Sequence, residues 1–212
     1  MKSINILTLA ILVGTFHLLS TRASAQSLAA KGIRVPQELS EIGDKYDCFF
    51  TFEVGLISGD RPNSLEYQTV SANPSLKNLK QELERLRESV PNFSFRADPN
   101  SSRIIHIIDA RLISEKTYAM DKIVSELDFY GEASELIDAI GKTGIPVSTN
   151  EPLIAPGRVV YNLPIKLRAV AKNKPVRDVL TDCVPLKDRG RILWMARTEL
   201  GKNQTTFVHY LP

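Results

Sequence analysis

Histidine and cysteine, the side chains most used for metal and thiol chemistry, are scarce in this chain. Of 212 residues, three are histidine and two are cysteine. There is no HxxxH, HExxH or CxxC spacing, so no metal site or redox motif is signalled. Gly141-Lys142-Thr143 resembles the end of a phosphate loop, but that loop needs a glycine five residues before Gly141, where Leu136 stands. The tripeptide reads instead as the end of a helix. Gly55–Gly59 places Ser58 in a loop without the GxSxG pattern. The carboxylates are scattered, and no pair is marked by spacing. These absences favour a non-catalytic protein without cofactor or metal, and leave a small secreted hydrolase as the least supported reading.

Long apolar runs are also missing, apart from one at the start. Residues 1–25 carry an early Lys2, an apolar stretch from about Ile4 to Leu19, and Ala23-Ser24-Ala25 before Gln26. That is the pattern of a secretory signal peptide cleaved after Ala25. The stretch is shorter than the roughly 20 residues of a membrane span, and no later segment could span. The expectation is an exported protein, periplasmic or secreted, with no transmembrane segment after processing. His106 and His209 are the histidines left, both in apolar strand runs where packing explains them.

Excess charge of one sign is absent overall. Residues 1–25 hold Lys2 and Arg22 and no acid, so processing lowers the formal net charge from +3 to +1. That argues against a nucleic-acid partner. The balance is uneven, however. Residues 158–197 hold ten cations and three acids. Arg158, Lys166, Arg168, Lys172, Lys174, Arg177, Arg189 and Arg191 are therefore candidates for a surface that meets an anionic envelope polymer or lipid headgroup. The bland reading is a solvated face. Cys48 and Cys183 leave two outcomes open: one disulfide in an oxidising compartment, or two packed thiols.

What is present is a twice-written pattern. Helical stripes fall at Pro36–Tyr46, with Leu39 and Ile42 inward, and at Asn73–Val90, with leucines at three- and four-residue steps. Asn73 would cap the second stripe and Pro74 would open it. Strand patterns fall at Cys48–Val54, Leu65–Val70, Asn92–Ala97 and Arg103–Asp109. Residues 110–124 read as a connector. The order then recurs: a helix over Gly131–Gly144, strands at Ile145–Thr149 and Val159–Val170, a helix from about Pro175, and strands at Arg191–Thr198 and Gln204–Tyr210. At an offset of 100, Leu65, Tyr67, Val70 and Asn73 fall on Ile165, Leu167, Val170 and Asn173. The expected fold is α+β: two small related units, residues 26–117 and 118–212, each with two helices on a small mixed sheet. The last strand of each unit, Arg103–Asp109 and Thr205–Tyr210, is expected at a sheet edge.

Leu136, Ile140, Gly144 and Val147, then Val170, Asn173, Pro175, Val176, Val179 and Leu180, carry a resemblance. They resemble the short N-terminal domain shared by secretins and TonB-dependent receptors. Leu39, Ile42, Val70, Leu76, Leu79 and Leu83 match it in the first unit. The resemblance implies a periplasmic interaction module, of a kind that stacks into rings or signals to inner-membrane partners. No outer-membrane channel or barrel follows here, so it implies a free-standing pair of modules that bind an envelope protein. Binding of an anionic polymer or lipid headgroup through residues 158–197 is the alternative.

Overall fold

Phe49 and Phe50 are adjacent and both buried. In a strand, neighbours point to opposite faces, so the sheet that holds them must be covered on both sides. The computed structural model shows how. It describes residues 32–57, 63–71, 76–149, 166–186, 190–202 and 204–207. The first half runs β1 (Ile33–Arg34), α1 (Val35–Tyr46), β2 (Phe49–Leu56), β3 (Thr69–Val70), α2 (Leu79–Ser89), β4 (Phe93–Ala97) and β5 (Ile104–Asp109). A short α3 (Ala110–Ile113) and a 3-10 turn (Ala119–Asp121) follow. The second half runs β6 (Ile123–Glu132), α4 (Ala133–Gly141), β7 (Val147–Thr149), β8 (Lys166–Pro175), α5 (Val176–Asp182), β9 (Ile192–Glu199) and β10 (Gln204–Phe207). The fold is α+β.

The pairings in the two halves are the same. β1 pairs antiparallel with β3, and β6 with β8. β4 pairs antiparallel with β5, and β9 with β10. β2 lies parallel to β5, and β7 parallel to β10. One further parallel pairing, β2 with β9, joins both triplets into a six-stranded sheet of order β4-β5-β2-β9-β10-β7. The expected edge strands are therefore interior: β5 lies between β4 and β2, and β10 between β9 and β7. Among the described residues the edges are β4 and β7.

Two hydrophobic clusters use the two faces of this sheet. Val35, Leu39 and Ile42 of α1 and Leu83 and Leu86 of α2 pack with Phe50, Phe52, Ile105, Ile107 and Met195. Leu136, Ile137 and Ile140 of α4 and Val176, Val179 and Leu180 of α5 pack with Phe49, Ile104, Ile108, Trp194 and Ala196. Each pair of helices thus lies between the central sheet and its own two-stranded ribbon. Strand alternation supplies both faces at once.

Local chemistry sets most element ends. Pro36 sits in the first turn of α1, and Asp47 ends it in the left-handed region at φ 53°. α2 starts later than the leucine stripe suggests. Asn78 caps it, accepting from the Gln81 amide at 3.0 Å, while Asn73 and Pro74 lie outside the described residues. Leu76 precedes the helix, where its amide donates to Glu82 and its carbonyl accepts from Lys45 and Tyr46. Leu65–Tyr67 forms a turn closed by the Tyr67 amide on the Ser64 carbonyl, not a strand. Glu132 and Glu135 form a reciprocal capping box at α4. Residues 142–144 end that helix, with Gly144 at φ 88°.

Gly43 of α1 packs tightly against Arg191, which leads into β9 of the second half. A Cβ there would stand 2.7 Å from the Arg191 Cβ and 2.9 Å from the Cys48 carbonyl oxygen. Alanine normally favours a helix interior by about 1 kcal/mol over glycine. Gly43→Ala is expected to reverse that sign and destabilise by about 1–3 kcal/mol, since backbone must move. Urea unfolding of the variant against the parent checks this.

Candidate functional site: an arginine-clasped seam and an outer ribbon

The second half reaches the first through three arginines. Arg177, on α5, is 1 % exposed. It donates Nη2 to Glu53 Oε2 on β2 at 2.7 Å, with Nε on the other Glu53 oxygen and Nη1 on Asp121. The Tyr118 hydroxyl donates to Glu53 Oε2 at 2.5 Å. Burial lowers the Arg177 pKa, but the Glu53 charge and hydrogen bond more than offset this, so the guanidinium stays charged. Burial and then the Glu53 charge hold the Tyr118 phenol well above its ordinary value. Arg191 bonds Asp44 at 2.7 Å and Asp47 at 3.1 Å, and its guanidinium lies 5.1 Å from the Phe49 ring centre. Arg197 grips Glu66 with two hydrogen bonds, 2.9 and 2.5 Å.

Beside this seam lies a second buried polar chain. Thr51 Oγ1 is 2.9 Å from His106 Nδ1, and His106 Nε2 is 2.9 Å from Asp98 Oδ2. With a neutral ring, Nε2–H donates to Asp98 and the Thr51 hydroxyl donates to Nδ1. A hydroxyl, an imidazole and a carboxylate in series is the order that nucleophilic hydrolases use. Here Thr51 and His106 are 0 % exposed and Asp98 7 %, so the hydroxyl faces packed protein. Burial depresses the His106 pKa, against smaller upward pulls from Glu53 and Asp98. Asp178, near the same chain, is raised by burial first and by the Asp98 charge second. His106 is thus a packed histidine with two partners; Ser58 and His209 lie outside the described residues.

The expected anionic-partner surface divides. Arg177 is not on the surface: α5 turns it inward to Glu53, which explains its burial. Arg191 belongs to the seam, not to an open face. Arg158 and Arg189 lie outside the described residues, as does Lys187. Lys166, Arg168 and Lys172 do lie exposed on β8, but β6 sets acids against them. Glu132 stands opposite Lys166 and Glu126 opposite Lys172. Arg168 bonds Asp128 at 2.6 Å, and Lys174 bonds Asp182 at 2.6 Å. The three β6 acids come from an earlier strand of the chain, so a count along residues 158–197 alone overstates the local charge.

The cysteines are not bonded to each other. Cys48 is buried with the α1 cluster, and Cys183 packs on the opposite face, donating to the Leu180 carbonyl at 3.2 Å. The sheet separates them, so the disulfide does not form. Burial pushes the Cys48 thiol up to about 11.

Strand β6 is the element sequence reasoning missed, and with it the β6–β8 ribbon; part of β8 was expected within Val159–Val170. The ribbon's two ten-residue strands are joined by nine registered pairs, against two pairs in β1–β3. Its inner face carries Val124, Leu167, Ala169 and Ala171. Its outer face exposes Tyr130 (65 %) and Val170 (59 %) among paired charges, with Lys166 over the Tyr130 ring at 5.8 Å. Among the described residues each strand pairs only with the other, no group of three or more His, Cys, Asp or Glu could hold a metal ion, and no helix is long and apolar enough to cross a membrane. Comparisons with protein-family models, curated proteins and solved structures gave no match.

Proposed function

We propose that the chain is an exported, non-catalytic protein-interaction module of the cell envelope, and that its partner, an envelope protein, docks on the outer β6–β8 ribbon. The observation that carries this reading is the ribbon itself. It is long, among the described residues both of its edges lack a paired strand, and it exposes Tyr130 and Val170 between charge pairs. Edges of this kind accept added strands, and exposed aromatics supply much of the energy at interfaces. The repeated connectivity supports reading the halves as a tandem pair of the domain that secretins and TonB-dependent receptors carry. Export rests on the signal pattern of residues 1–25, which lie outside the described residues. The charge pairing on β8 counts against the anionic-polymer alternative.

Affinity capture from solubilised envelope, washed at low and high salt, tests this. A discrete protein retained at high salt is expected, because strand addition and apolar contact are only weakly screened. Tyr130→Asp combined with Val170→Asp should cut its retention by about tenfold or more, equivalent to at least about 1.4 kcal/mol. Retention of salt-labile polymer or lipid alone would overturn the proposal in favour of the anionic-ligand reading.

A further inference from the structure

The two halves of the central sheet meet head to tail. Across the sheet the first half supplies β4, β5, β2 and the second supplies β9, β10, β7, each strand holding the same place in its own half. Let β2 point up. Then β5 is up and β4 down. β9 is up, while β10 and β7 are down. The second triplet therefore repeats the first in the same order with every strand reversed. One operation does this: a half-turn about an axis in the sheet, across the strands, with a shift of three strands, roughly 14 Å. The half-turn also explains why the helices of the two halves cover opposite faces.

Such an operation does not close. A head-to-tail join of this kind leaves unlike edges and continues as an open series. Here the edges are β4 at one end and β7 at the other, each paired on one side among the described residues. Both point down. Applying the operation again places the β4 of another copy parallel beside β7, as β9 lies parallel beside β2. β4 is also fit to pair. The Asp98 amide donates inward to Ile104 and the Ala110 amide donates to Asn92, so the alternate amides of Phe95 and Ala97 point to the free side. Edge strands are commonly blunted by proline or a bulge. β4, Phe-Ser-Phe-Arg-Ala, has no proline, and its five register pairs with β5 run without a shift.

We infer that β4 and β7 are complementary joining edges, each occupied by a second copy of this chain, so that the central sheet continues from molecule to molecule. This interface is separate from the β6–β8 ribbon and stands or falls independently of the proposed partner.

Sedimentation velocity of the processed chain over a micromolar-to-millimolar series tests it. The expected result is a mean mass that keeps rising past dimer, with the Phe95 and Ala97 amides of the unaltered protein gaining protection from hydrogen exchange as concentration rises. Ala97→Pro removes an outward amide and no inward ladder bond; it should return the protein to monomer with an unchanged circular dichroism spectrum. A monomer throughout the series would overturn the inference. So would association that stops at dimer, or association that leaves the Phe95 and Ala97 amides unprotected.

Discussion

Arg177→Ala should lower the free energy of unfolding by about 3–5 kcal/mol, among the largest effects of any single change outside the apolar clusters. The reason is the group left behind. Glu53 is fully buried, and two of its partners are guanidinium nitrogens of Arg177. Removing the cation strands a carboxylate inside the sheet with only the Tyr118 hydroxyl. For a chain of this size 1 kcal/mol moves the midpoint by about 2–4 °C, so a fall of about 10 °C is expected. The pair itself need not stabilise much, because desolvating two ions offsets most of their attraction. The double variant Glu53→Met with Arg177→Leu should therefore recover most of the loss. Urea unfolding of the two variants measures both quantities. A single-variant loss below about 1 kcal/mol would show that Glu53 is not held as described.

Stability should also fall as pH drops from 7 toward 5, and His106 should carry much of that slope. Its folded pKa lies below the ordinary value of 6.5, chiefly through burial. The unfolded chain therefore takes up a proton first as pH falls through about 6.5, and folding loses ground until the folded pKa is reached. The limit is about 1.4 kcal/mol per pH unit for one proton. Asp178 acts with the opposite sign: its raised pKa favours folding while it is protonated, and that contribution is lost as pH rises through the raised value. Its window opens at the ordinary value of 3.8 and runs upward to the raised one. His106→Gln, which keeps a donor and an acceptor, should flatten the profile between pH 7 and 5.5. A parent protein equally stable at both pH values would contradict the buried Thr51–His106–Asp98 chain.

Much of the fold is legible in the sequence because most elements have one apolar face. Leu39 and Ile42, Leu83 and Leu86, Leu136 and Ile140, and Val176 and Leu180 mark the four main helices by spacing alone. The strand β6 was hidden because its alternation breaks. Val124 and Leu127 both face inward, and the ladder skips Ser125 and Asn173, where Asn173 takes φ 53°. Leu127 and Phe129 against Asp128 and Tyr130 were the available signal. The seam was not legible for another reason. Glu53 and Arg177 are 124 residues apart, and nothing in a local charge count says that an arginine beside Val176 turns inward. The same blindness to distant partners made residues 158–197 look like a basic surface.

Hydrogen exchange of the monomeric protein, amide by amide, tests the central claim most directly. That claim is a locked sheet shared by both halves, with an outer ribbon open to a partner. The expected result is that β2, β5 and β9 amides exchange only with global unfolding, while alternate amides along the outer sides of β6 and β8 exchange quickly. Slow exchange along both outer sides of the ribbon would mean that its edges are already occupied. Exchange of β9 independently of β2 would mean that the halves do not share one sheet. Either result would contradict the account.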